Sequence, residues 1–151
     1  MLSRTLIVFL ASLPALALAQ GAPAAPVAAT NTPVTIEEWT VPWENSRPRD
    51  PDVAPNGTIW FVGQRGDYVG HFDPGTQEFR QFDLPPGTGP HNVIVDRDAS
   101  LWIAGNRQGY IGKMDPNTGQ LTRYPMPLED VKDPHTLIFT GDGEIWFSAQ
   151  W

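Results

Sequence analysis

From residue 35 onward the apolar positions fall in short runs, rich in β-branched and aromatic side chains and separated by turn-forming residues. The stretch 90–127 shows this best: His91–Asp96, Ser100–Gly105, Tyr110–Asp115 and Leu121–Met126 each read as one strand, here A to D. No 3.6-residue amphipathic period follows the N-terminal segment, which leaves little room for helices. Between strands A and B the neighbouring stretches carry Asn56-Gly57 and Asp142-Gly143, where glycine supplies the positive φ of a tight hairpin. Asp98-Ala99 stands there in the 90–127 stretch and predicts a different turn. Strands C and D are joined through Asp73-Pro74-Gly75-Thr76 or Asp115-Pro116-Asn117-Thr118-Gly119, Pro-initiated turns that Asp73 and Asp115 are expected to cap.

This pattern repeats. Residues Pro48 to Phe61, Pro90 to Ile103 and Pro134 to Phe147 align without a gap, each placing a proline twelve residues before Trp60, Trp102 or Trp146. The tryptophan spacings are 42 and 44. Two copies continue in register through Tyr68–Pro74 and Tyr110–Pro116. Such a period, with four antiparallel strands and one Trp-bearing strand in each, is the signature of β-propeller blades. The fold class expected is therefore all-β, an incomplete β-propeller: blade 1 over 48–85, blade 2 over 90–127 and half of blade 3 over 134–151. The recurring tryptophan is expected to pack between neighbouring sheets.

The segment Ile36–Pro42 aligns with the D strands Phe79–Pro85 and Leu121–Pro127. It predicts a lone D strand, of the kind that latches a ring by completing its last blade. Two whole blades and pieces fall short of the ~4 to 8 needed for closure, which implies a fragment of a parent of roughly 300 residues. A natural short chain that assembles into a ring and a frameshifted remnant are the alternatives.

Arg4 followed by the apolar run Leu6–Leu18, broken by Pro14, reads as a signal peptide. Ala17-Leu18-Ala19 places cleavage near Ala19, with an uncleaved anchor as the alternative, and predicts a periplasmic or secreted product. Residues 20–35, mostly Ala, Pro and Thr, read as a linker. The absence of cysteine excludes a disulfide scaffold, a thiolate metal site and covalent haem. Ten Lys and Arg face seventeen Asp and Glu; losing Arg4 with the leader leaves nine, a formal charge of −8. That balance argues against nucleic acid and anionic membranes as partners.

The motifs Gly89-Pro90-His91, Asp96–Ile103 and Tyr110–Pro116, with their copies in the other blades, resemble the streptogramin lyase (virginiamycin B lyase-like) family. The resemblance covers most of residues 36–151. It implies a seven-bladed ring that opens a cyclic depsipeptide at its ester bond by Mg²⁺-assisted elimination. In that chemistry a histidine at the mouth of an inner strand takes the proton α to a carbonyl, and carboxylates hold the metal.

Carried over residue by residue, the resemblance makes His91 and His135 candidate bases and Asp133, two residues before His135, a candidate metal ligand. The acid that the family pattern wants about fourteen residues after the histidine is Gly105 or Ala149 here; blade 1 has Arg49 and Gly63 at the two positions. No complete lyase site is visible, and each histidine also reads as a polar residue bonded to a neighbouring loop. His71 aligns with Lys113 and reads as a surface side chain. Arg49 and Asp50 share the rim, though adjacent strand residues face opposite ways. Three functions stay open: a lyase acting on an ester or lactone, a non-catalytic propeller binding a small molecule, peptide or protein partner at its mouth, and a lactonase-type metal-dependent hydrolase.

Overall fold

The structure, a computed structural model, describes residues 34–150. The expected leader and almost all of the linker lie outside them. Ten strands follow in order: β1 (Pro48–Val53), β2 (Ile59–Gly63), β3 (Tyr68–Asp73), β4 (Glu78–Asp83), β5 (Val93–Val95), β6 (Leu101–Gly105), β7 (Tyr110–Met114), β8 (Leu121–Pro125), β9 (Pro134–Phe139) and β10 (Ile145–Ala149). They form two four-stranded antiparallel meanders, β1-β2-β3-β4 and β5-β6-β7-β8, and the hairpin β9-β10. These are successive blades of an incomplete β-propeller.

Side chains alternate across each sheet, so one strand serves two inter-blade cores. Trp60 and Val62 of β2, with Val69 of β3, pack on Val93, Leu101, Ile103 and Met114 of blade 2. Ile59 and Phe61 point the other way, with Tyr68, Phe72 and Phe79. The far face of blade 2, Ile94, Ala104 and Ile111, meets Leu137 of β9 with Trp102 packed beside it. Trp60 and Trp102 thus face the following blade, as expected of a residue packed between sheets. Trp146 occupies the same place in β10 and is 61% exposed.

Polar groups pin the blades together. Asp52 Oδ2 accepts the Val95 N–H at 2.7 Å, and Asn92 Oδ1 accepts the Leu137 N–H at 2.9 Å. Both satisfy backbone donors on the outer edge of a blade's first strand, where no neighbouring strand pairs among the described residues. Asp73 and Asp115 accept backbone N–H groups within their turns, as their places before proline predicted.

Two local expectations change. Residues 36–42 form no strand, because no free strand-C edge stands beside them among the described residues. Trp39 instead packs on Phe72 with ring centroids 5.0 Å apart, and Trp43 on Tyr68 at 4.9 Å, covering the outer face of blade 1. The blade 2 hairpin is no different turn either. Ala99 has φ 63° where Gly57 has 84° and Gly143 has 92°, and its N–H bonds the Asp96 carbonyl as theirs bond Ala54 and Thr140. Asp96 Oδ1 also accepts the N–H groups of Asp98 and Ser100, which holds a left-handed conformation that alanine disfavours.

Candidate functional site at the blade mouths

The first strand of every blade starts at the same mouth, and one repeat position supplies Arg49 in β1, His91 just before β5 and His135 in β9. His91 is 3% exposed, and its backbone N–H is held by the Ala104 carbonyl at 2.9 Å. The part-exposed ring of His135 lies on it, with centroids 3.2 Å apart and planes tilted by 37°. The structure therefore brings the two candidate bases into contact across the blade 2–blade 3 boundary.

Blade 1 contributes a carboxylate from an unexpected direction. Pro48 and Pro51 lack the N–H that a central strand needs, which suits β1 to the sheet edge. Between Arg49 and Asp52 the register shifts: Arg49 pairs with Val62 and Asp52 with Trp60, so Asp50 and Pro51 oppose Phe61 alone. Asp50 sits in this bulge at φ 40°. The bulge re-aims its side chain, and Asp50 Oδ2 comes within 3.2 Å of His91 Nδ1. The contact is electrostatic rather than an aligned hydrogen bond, and it leaves that buried nitrogen without a hydrogen-bond partner. Strict alternation hid this contact; the two prolines flanking Arg49-Asp50 were the available signal.

Burial, then the positive charges of Arg49 and a protonated His135, push the His91 pKa down to about 4 against the smaller pull of Asp50. Stacked imidazoles cannot readily both carry charge. His91 is accordingly neutral at neutral pH and is enclosed by its neighbours. His135 is the member that a ligand can reach. Its Nδ1 lies 3.1 Å from Thr136 Oγ1, while Nε2 has no protein partner among the described residues. In the tautomer whose Nδ1–H donates to Thr136, Nε2 carries the lone pair. Arg49 Nη1 donates to Gln64 Oε1 at 3.1 Å, and beside Arg49 and Asp50 opens a cleft of about 250 Å³ walled by Val41 and Phe61.

Asp133 is at φ 55°, and its carbonyl accepts the Gln150 N–H at 3.3 Å. Its carboxylate makes no protein hydrogen bond among the described residues, where no group of three or more Asp, Glu or His could hold a metal. Gly105 shows why an acid is missing. A Cβ there would stand 2.6 Å from the Tyr110 ring, and at Gly63 the Tyr68 ring fills the same space. Ala149 offers no donor atom. The described residues do not by themselves fit the Mg²⁺ that the resemblance implied. His71, read as a surface residue, is instead half-buried against Trp60, with ring centroids 4.6 Å apart.

The virginiamycin B lyase family matches residues 22–151. The chain belongs to that family. Among solved structures it is similar to virginiamycin B lyase from Staphylococcus aureus, with 28% identity and a TM-score of 0.69 over 76% of this chain and 39% of that one. A streptogramin B lyase structure matches with 25% identity and a TM-score of 0.68, over 75% and 37%. A catalytically inactive histidine-to-alanine virginiamycin B lyase from Staphylococcus aureus, with quinupristin, matches with 28% identity and a TM-score of 0.69, over 76% and 39%. The chain thus spans about two-fifths of the length of these relatives. No curated protein matches it significantly.

Proposed function

We propose that this virginiamycin B lyase family chain contributes the ligand-holding mouth of an exported propeller that opens a cyclic depsipeptide at its ester. The observation that supports the reading most strongly is the stacked His91–His135 pair, with one imidazole enclosed and neutral and the other reachable. His135 Nε2 is the base in this reading. It takes the proton from the carbon α to a carbonyl, the electron pair forms a C=C bond, and the ester C–O bond breaks with its pair leaving as carboxylate. His91 is a positioning residue, fixed by the Ala104 carbonyl and held beside Asp50, on which the His135 ring rests. Arg49 supplies a fixed positive charge for the carbonyl oxygens of the ligand.

Binding tests this reading. Titration calorimetry with a streptogramin B depsipeptide should give a saturable isotherm for the full chain, weakened at least tenfold in Arg49→Gln. Equal affinity in that variant would remove Arg49 and the mouth from the account. A second reading, a propeller that binds such a ligand without converting it, is favoured by the missing acids at Gly105 and Ala149. Binding with no ring-opened product would select it.

A further inference from the structure

At the opposite ends of the strands from the histidine pair, the A–B turn of blade 1 and the C–D turn of blade 2 enclose a cavity of about 350 Å³. Both walls come from four-stranded sheets. Although acids outnumber Lys and Arg seventeen to ten in the chain, no acid lines this cavity, whereas Arg80 and Arg97 both do. Neither arginine has an ion-pair partner among the described residues.

Comparing the blades shows what is missing. In blade 2 the Trp102 indole N–H donates to Asp96 Oδ2 at 3.2 Å, and in blade 3 the Trp146 N–H donates to Glu144 Oε2 at 3.3 Å. The repeat puts Ala54 where Asp96 stands and Thr58 where Glu144 stands. Trp60, which lines the cavity, therefore has no carboxylate, and its N–H has no protein acceptor among the described residues. Thr58 is itself engaged with Asn56 Oδ1 at 2.8 Å. His71 packs against Trp60 with its ring plane tilted by 56°, and its buried Nδ1 is unpartnered among the described residues. An indole N–H and two arginine side chains thus border a space from which the acid found in the other blades is absent.

We propose that this cavity is a binding site for a small organic carboxylate, whose oxygens take the place that Asp96 and Glu144 fill in the neighbouring blades. Arginine suits the role, because its planar fork binds carboxylate in two parallel hydrogen bonds. Trp60 and Pro116 offer apolar surface to the body of such a ligand.

The test is a ¹⁵N NMR titration of the full chain with sodium acetate, against sodium chloride at matched ionic strength. The Trp60 indole resonance should shift saturably with acetate, while those of Trp102 and Trp146, already bonded to carboxylates, stay in place. Arg97→Gln, on the exposed side of the fold, should weaken binding at least tenfold. Ala54→Asp should abolish it by supplying the carboxylate from within. A chloride titration that reproduces the Trp60 shift, no saturable shift at all, or undiminished affinity in both Arg80→Gln and Arg97→Gln would overturn the proposal.

Discussion

Lowering the pH should destabilise this protein through one buried group. Unfolded, a histidine takes its proton near pH 6.5; folded, His91 takes it only near 4. Between those values the unfolded chain holds more protons than the folded one, so acid favours unfolding. The sign is fixed: stability is whole above about pH 6.5, falls as the pH drops, and levels once the folded pKa is passed. A gap of 2.5 units corresponds to about 3 kcal/mol in full, of which about 2 is already lost at pH 5. That is a sizeable part of the stability of an ordinary domain. Urea unfolding at pH 7.5 and at pH 5, followed by circular dichroism, measures it. The His91→Gln variant keeps a polar side chain but cannot titrate, so its loss between the two pH values should be smaller by about 2 kcal/mol. An equal loss in both proteins would refute the placement of His91 as a neutral, enclosed imidazole.

Three further outcomes follow from single contacts. Ala99→Gly relieves about 1 to 2 kcal/mol of left-handed strain and gives back part of it as unfolded-state entropy, so the midpoint of thermal unfolding should rise by a few degrees. Gly105→Ala should destabilise by about 1 to 3 kcal/mol in the same measurement, because its Cβ would meet the Tyr110 ring at 2.6 Å. Asn92→Ala should cost about 1 to 3 kcal/mol by leaving the Leu137 N–H buried without its acceptor, seen as faster hydrogen exchange at β9.

The blades were legible because their signals are local and repeated. Alternation within β2, β6 and β10, one tryptophan for each copy, and proline turns at fixed offsets all report on the same sheet and reinforce one another. The Ala99 turn misled because residue type outweighed context: Asp96 accepts enough backbone N–H groups to hold alanine where glycine is usual. The 36–42 segment matches other D strands in sequence, but pairing needs a partner edge, and none stands beside it among the described residues. In the site, the equivalence of Arg49, His91 and His135 was readable from the repeat, yet their contact was not. Asp50 reaches His91 through a bulge and a positive φ, and the stacking of His135 depends on the spacing between blades. Gly105 was visible as a missing acid, and only the Tyr110 ring explains why glycine is there. The cavity beneath Trp60 was hidden for a similar reason, since its evidence is a side chain that two blades have and the first lacks.

The ester-opening claim meets its most direct test in the mass of the product. Elimination moves a proton and breaks one C–O bond without adding atoms, so a streptogramin B depsipeptide incubated with the full chain should yield a linear isomer of unchanged mass. His135→Ala should yield none. A product heavier by one water would show hydrolysis instead, and unaltered conversion by His135→Ala would contradict the role given to the mouth histidine.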